Sequence, residues 1–81
     1  MNIEESVLKV VEENLEGDFK VTIKSILIDD LGADSFNIMM IIAGLEDEFS
    51  IEISEDEFFG IETVGDIVDK IKLFFSQKEG E

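Results

Sequence analysis

Cysteine, histidine, arginine, proline, tryptophan and tyrosine are all absent from the 81 residues. Without cysteine there is no disulfide, no thiolate nucleophile and no zinc–thiolate site. Without histidine there is no imidazole acid or base and no histidine metal site. The core must therefore carry the fold unaided, which is marginal at this length. Positive charge is scarce: 6 Lys+Arg stand against 21 Asp+Glu, a net charge of −15. Such a field repels nucleic acid and anionic membranes and attracts proteins with basic patches. Long apolar runs are missing too. The longest, Ile38 to Ala43, is far too short to span a bilayer. Met1-Asn2-Ile3-Glu4-Glu5 is acidic where a secretory leader is basic, so none is expected and the cytoplasm is the expected location. What the chain does have is apolar bulk, 44% of its residues, too much for a disordered acidic tail. The expectation is one folded domain over residues 1–81 with an acidic surface.

Asn2-Ile3-Glu4-Glu5 reads as a capping box. Ile3, Val7, Val10, Val11 and Leu15 then recur at helical spacing, and Gly17 is a natural stop. A first helix is expected over about residues 3–16. Residues 17–34 are the least regular. Val21-Thr22-Ile23 has strand composition but no partner strand, so a long ordered loop is expected, pegged by Phe19, Val21, Ile23, Ile26, Leu27 and Leu31. A second helix follows over about residues 35–50, with Ile38, Ile41, Ile42, Leu45 and Phe49 on its core stripe. Its opposite face carries Phe36, Met39, Met40, Ala43 and Asp47. A surface helix is polar there. Apolar residues at those positions mean either a partner site or cover by a neighbouring segment. Gly44 sits in the helix interior at a cost of roughly 1 kcal/mol against alanine.

Ser54-Glu55-Asp56-Glu57 is a second capping box, opening a short third helix over about residues 55–60, with Phe58 and Phe59 as its buried side. Thr63-Val64-Gly65-Asp66 starts a fourth helix over about residues 63–76, with Val64, Ile67, Val68, Ile71, Phe74 and Phe75 as its stripe. Lys70, Lys72 and Lys78 gather towards its C-terminus, and Ser76 onward is expected to fray. The sum is an all-α, small four-helix bundle of three longer helices and one short one, with a long first loop.

Asp30-Leu31-Gly32-Ala33-Asp34-Ser35-Phe36 stands at the start of the second helix. Gly32 suits a tight turn at positive φ. Asp34 is a good N-cap. Ser35 falls on the first helical turn, its hydroxyl towards solvent, where free N–H groups and the helix dipole tolerate an attached phosphate. Plain helix capping explains the same residues.

This set of residues resembles the acyl carrier protein family. The match begins with Asp30-Leu31-Gly32-Ala33-Asp34-Ser35-Phe36 against the family's Asp-Leu-Gly-x-Asp-Ser-Leu. It continues through Leu45-Glu46-Asp47-Glu48-Phe49, Ile51-Glu52-Ile53 and Thr63-Val64-Gly65-Asp66, with Val21-Thr22 at the family's spacing. The resemblance covers nearly the whole chain. It implies a four-helix bundle of acyl-carrier type, with a 4′-phosphopantetheine arm on Ser35 and Asp34 as the motif's cap. A phosphopantetheinyl transferase would attach the arm from coenzyme A, and its thiol would hold acyl groups as thioesters. The chain would do no catalysis itself and has no assigned catalytic or metal residue. Its further partners would be acyl-transferring and acyl-modifying enzymes with basic and apolar docking patches, met through Phe36, Met39, Met40, Ala43, Asp47 and Asp30. No nucleic-acid partner and no membrane insertion are expected, and the expected state is a monomer. The family also shelters acyl chains between its helices. The candidates here are Ile42, Leu45, Phe49, Ile53, Phe58, Ile61 and Ile67, which equally suit a plain core.

The departures bear on the same face. Asn37 and Met40 stand where the family commonly has Asp and Glu, Phe36 replaces Leu, Leu27 stands for Phe, and Ser54 for a frequent Pro. Two charges are lost from the second helix and apolar bulk is gained, which points to a specialised carrier. The cargo stays open between fatty or hydroxy-fatty acyl groups, polyketide intermediates, and aminoacyl or peptidyl groups. The alternative from another class is an arm-less interaction module. Asp29-Asp30 and Glu46-Asp47-Glu48 could gather divalent cations weakly, but no stretch follows the calcium-loop pattern.

Overall fold

A computed structural model describes residues 2–15 and 20–79, with side chains as far as residue 76. Its order is α1 (Ile3–Glu13), α2 (Ser35–Phe49), a 3-10 segment (Glu55–Phe58) and α3 (Val64–Glu79). The chain is all-α. The core brings together Val7, Val10 and Val11 of α1, Ile41, Ile42, Leu45 and Phe49 of α2, and Val64, Ile67, Val68 and Ile71 of α3. Val21, Leu27, Leu31, Ala33, Ile53 and Phe58 from the connections close it. The Phe49 and Phe75 rings meet edge to face at 5.8 Å. None of the described helices is long and apolar enough to cross a membrane.

Asn2 starts α1 by accepting the Glu5 N–H at 3.1 Å. The helix stops at Glu13 rather than near residue 16, because Asn14 turns its side chain back onto it: Nδ2 donates to the Val10 carbonyl at 2.8 Å. An asparagine offers the backbone this competing bond, so it ends helices. Gly17, expected as the stop, and Phe19, expected as a peg, lie outside the described residues.

α1 packs directly on both other α-helices. Gly44 explains how closely α2 approaches it. A Cβ there would lie 2.8 Å from Val10 Cγ1 and 3.0 Å from Asn14 Nδ2, so a larger residue requires the Val10 side chain or the helix to move. α2 ends at Ser50, which takes left-handed angles (φ 54°, ψ 48°) that glycine adopts at less cost.

Among its described residues the loop before α2 contains no strand, yet it is paired. Ile26 bridges Thr63 in antiparallel fashion. Leu27 N–H donates to the Glu62 carbonyl at 3.0 Å, Val64 N–H to that of Ser25 at 3.0 Å, and Gly65 N–H to that of Ile23 at 2.8 Å. The partner of this stretch is thus the N-terminus of α3, some forty residues on in the chain. Two of the expected pegs do not peg: Ile23 and Ile26 are exposed, while Val21, Leu27 and Leu31 are buried.

The third helix is shorter than expected and of 3-10 form. Phe59 is extended (φ −64°, ψ 133°) and Gly60 has φ 86°, so the chain leaves the helix at Phe58. Phe58 is buried, but Phe59 is 80% exposed, against the expectation that both face inward. The change of backbone direction at Phe59 sends the two rings to different sides. The last helix runs past Ser76 to Glu79, since Gln77, Lys78 and Glu79 are good helix formers and no breaker precedes Gly80. The Lys78 side chain lies outside the described residues.

Candidate functional site

Ser35 is the first residue of α2, and a reciprocal pair of hydrogen bonds fixes it there. Asp34 Oδ1 accepts the Asn37 N–H at 2.9 Å, and Asn37 Oδ1 accepts the Asp34 N–H at 3.0 Å. Asn37 Nδ2 also reaches the Asn14 carbonyl at 3.4 Å, linking this start to the end of α1. Before the cap, Gly32 at φ 66° turns the chain. Gly32 N–H donates to the Ile28 carbonyl at 3.0 Å and Ala33 N–H to that of Leu27 at 2.9 Å. The Asp30 carboxylate completes this turn by accepting the Ile26 N–H at 2.7 Å. The outcome is an exposed serine on a capped first turn. The first-turn N–H groups and the positive helix end can meet an anion.

Beside Ser35 an apolar cleft of about 510 Å³ runs between the loop, α2 and the 3-10 segment. Ile28, Ile38, Met39, Ile42, Phe58 and Phe59 line it, with Ala33, and Asp34 and Glu55 belong to the same wall. A second chamber of about 310 Å³ shares Ile28, Ile38 and Phe58 with the first and extends to Ile26, Leu27, Asp29, Ile61 and Glu62. Both volumes fall within the roughly 300–1,000 Å³ of small-ligand sites.

Of the residues expected to line an acyl pocket, Ile42, Phe58 and Ile61 line these chambers. Leu45, Phe49, Ile53 and Ile67 instead pack in the core away from them. Leu45 and Ile67 are 0% exposed, because their positions on α2 and α3 face the other helices. Ile26, Ile28, Ile38, Met39 and Phe59 belong to the cleft, although sequence reasoning gave none of them that role. The available signal was adjacency: Ile28 follows buried Leu27 and Phe59 follows buried Phe58, and neighbours in an irregular segment seldom share a direction.

The expected docking residues fall together on the exposed side of α2. Phe36 is 67%, Met39 57% and Met40 42% exposed, with Ala43 and Asp47 exposed beside them. Asp30 is exposed as well, though its carboxylate serves the turn. Glu46 of the same helix is half-buried, and its Oε2 accepts the Ile53 N–H at 2.9 Å, holding the chain after α2.

At the start of α3, Asp66 Oδ2 accepts the N–H groups of Glu62 at 3.0 Å and Thr63 at 3.1 Å, while Thr63 Oγ1 accepts that of Asp66 at 3.1 Å. The backbone donors of Glu62 and then Thr63 hold the Asp66 carboxyl below the ordinary value, because they favour its charged form. Among the described residues no buried side-chain nitrogen or oxygen lacks a hydrogen-bond partner.

A family description, phosphopantetheine attachment site, matches residues 5–71. The acyl carrier protein of Caulobacter vibrioides is 48% identical over 68 residues, covering 83% of this chain and 87% of that protein. The acyl carrier protein of Phenylobacterium zucineum is 49% identical over 65 residues, covering 79% and 82%. A solved structure assigned as an acyl carrier protein, from Mycobacterium tuberculosis, superposes with a TM-score of 0.81 at 36% identity, covering 90% of this chain and 99% of that one.

Proposed function

The chain belongs to the acyl carrier protein family, and on that premise we propose that Ser35 is the residue that bears its arm. The family carries acyl groups on covalently bound 4′-phosphopantetheine and works with phosphopantetheinyl transferases and acyl-handling enzymes. The observation that carries Ser35 is its exposed position on the first turn of α2, capped by Asp34 and Asn37 and bordering the apolar cleft. The bound arm supplies a terminal thiol that holds acyl groups as thioesters, chemistry this cysteine-free chain has no side chain to provide.

The remaining roles belong to the chain's own residues. Asp34 and Asn37 cap the helical turn that carries Ser35. The first turn of α2 offers its N–H donors to a phosphate. The protein itself catalyses nothing and acts as a substrate of its partners, as a monomer in the cytoplasm. Phe36, Met39, Met40 and Ala43 form an apolar docking strip, with Asp47 and Asp30 at its acidic margin. Partners of a specialised carrier therefore present an apolar groove with a basic rim. The charge acts mainly on encounter rate and fades with salt.

Intact mass before and after incubation with coenzyme A and a phosphopantetheinyl transferase tests the attachment. One phosphopantetheinyl unit is gained by the unmodified chain and none by Ser35→Ala. A folded, unmodified chain that gains nothing from several transferases removes the arm from Ser35. The apolar strip of α2 would then point to an arm-less interaction module.

A further inference from the structure

Sulfur in this chain comes from methionine alone: three residues, with no cysteine. Met1 lies outside the described residues. Met39 and Met40 stand side by side on the outer side of α2, 57% and 42% exposed. Neither is among the core residues or the half-buried ones packed on them. Met39 also belongs to the wall of the cleft that Ser35 borders. A thioether is oxidised according to its access, and an oxidant reaches both of these without any opening of the fold. The −15 field turns away anionic oxidants but not neutral hydrogen peroxide. With no thiol in the chain, no faster side chain competes for it. The product changes the surface and spares the core. A sulfoxide is polar where the thioether was apolar. It falls in the middle of the strip, between Phe36 and Ala43. A partner that covers the strip must then bury the new oxygen unpaired, which is costly.

We propose that Met39 and Met40 are sites of reversible oxidation to the sulfoxide by a peroxide, and that this modification switches off docking at α2 while the fold stays intact. The switch rests on the apolar strip being the docking surface beside Ser35. In the forward step the peroxide O–O bond breaks and an S–O bond forms. Sulfur gives up two electrons, the proton of the transferred oxygen passes to the departing hydroxide, and water leaves. In the return step a methionine sulfoxide reductase removes the oxygen as water while its dithiol becomes a disulfide.

The test treats the unmodified chain with hydrogen peroxide, removes the excess with catalase, and locates the added oxygens by peptide mass mapping. Helix content and thermal midpoint are recorded, and phosphopantetheinylation from coenzyme A is followed at varied chain concentration. Met39 and Met40 each gain one oxygen, with helix content and thermal midpoint unchanged. KM for the chain rises on the order of tenfold, the size of one lost hot-spot contact, while kcat holds. Reductases for the two sulfoxide epimers restore KM. Met39→Gln/Met40→Gln raises KM without peroxide. The KM of Met39→Leu/Met40→Leu, whatever its starting value, does not respond to peroxide. Loss of helix on oxidation, or an equal peroxide response in the leucine variant, overturns the proposal. If the glutamine variant raises KM but peroxide leaves Met39 and Met40 without added oxygen, the switch falls and the docking strip stands. If neither the glutamine variant nor the folded, doubly oxidised chain changes KM, the strip falls with the switch and Ser35 stands. A transferase that never modifies the untreated chain overturns the Ser35 reading and this one with it.

Discussion

α2 and α3 begin with the same device and put it to opposite uses. Each has a short polar residue at the cap paired reciprocally with a residue three positions on: Asp34 with Asn37, and Thr63 with Asp66. At α2 the residues between the pair, Ser35 and Phe36, are exposed. At α3 the corresponding residues are packed over, Val64 fully and Gly65 partly. Val64 is 0% exposed, and Gly65 lies so close to the loop that a Cβ would be 2.9 Å from the Ile23 carbonyl oxygen. The loop that precedes α2 is stitched to the start of α3 and turns away through Gly32 before α2. A cap by itself therefore says where a helix starts, and what packs on its first turn decides whether that start is a foundation or a site.

Changes at the packed end should cost stability, and changes at the open end should cost function. Gly65→Ala is expected to have the largest effect, since its Cβ meets backbone that cannot rotate away. A loss of about 1–3 kcal/mol is expected, read as a drop in the thermal midpoint of roughly 4–8 °C per kcal/mol at this chain size. Its rate of modification per folded molecule should match the parent. If stability holds instead, the seam between the loop and α3 is not what sets the architecture.

Asp66→Asn comes next, at about 1 kcal/mol near neutral pH, the difference between hydrogen bonds to a charged and to a neutral acceptor. The folded-state carboxyl of Asp66 is shifted down, so its contribution is complete above the ordinary carboxylate value and is lost as pH falls through the lowered one. The stability gap between parent and Asp66→Asn should therefore close on acidification below about pH 4. A gap that is constant with pH would mean that the charge of Asp66 plays no part. Comparing the two proteins isolates this group from the other carboxylates, whose mutual repulsion also falls on protonation.

The capping pair of α2 gives an effect of similar size but mixed kind. Asn37→Ala removes the acceptor for the Asp34 N–H and the link to Asn14, for about 1 kcal/mol. Unlike Gly65→Ala, it should also slow phosphopantetheinylation at saturating transferase, because the first turn carrying Ser35 loosens. Equal rates for parent and variant would separate the cap from the site. Met40→Glu is expected to move stability least, within roughly 0.5 kcal/mol for an exposed position, while weakening binding to the native acyl-handling partner. Unchanged binding would remove Met40 from the docking strip.

The local signals in the sequence held where structure is decided locally. Asn2, Asp34 and Thr63 each stand immediately before an observed helix, because a side chain three residues from its target needs no tertiary help. The stripe of α2 reads correctly from its spacing at four of its five positions: Ile41, Ile42, Leu45 and Phe49 are buried while Phe36, Met39 and Met40 are not, but Ile38, expected with them, is half-buried and lines the cleft. The start of α2 at Ser35 was legible for the same reason. The cleft was less so. Ile42, Phe58 and Ile61 were named, but Ile28, Ile38 and Phe59 were not assigned to it.

Sequence alone thus determined the helical periods, the caps, the acidic field and the family of this chain, all set by residues near one another or by composition. Tertiary structure decided the rest. It paired Ile26 with Thr63, made Gly44 and Gly65 necessary, and turned Ile28 and Phe59 outward while Leu27 and Phe58 turned in. These choices depend on backbone segments distant in the chain and close in space. The identity of an isoleucine or a phenylalanine fixes only that it prefers burial, and the packed neighbours fix which of two adjacent ones obtains it.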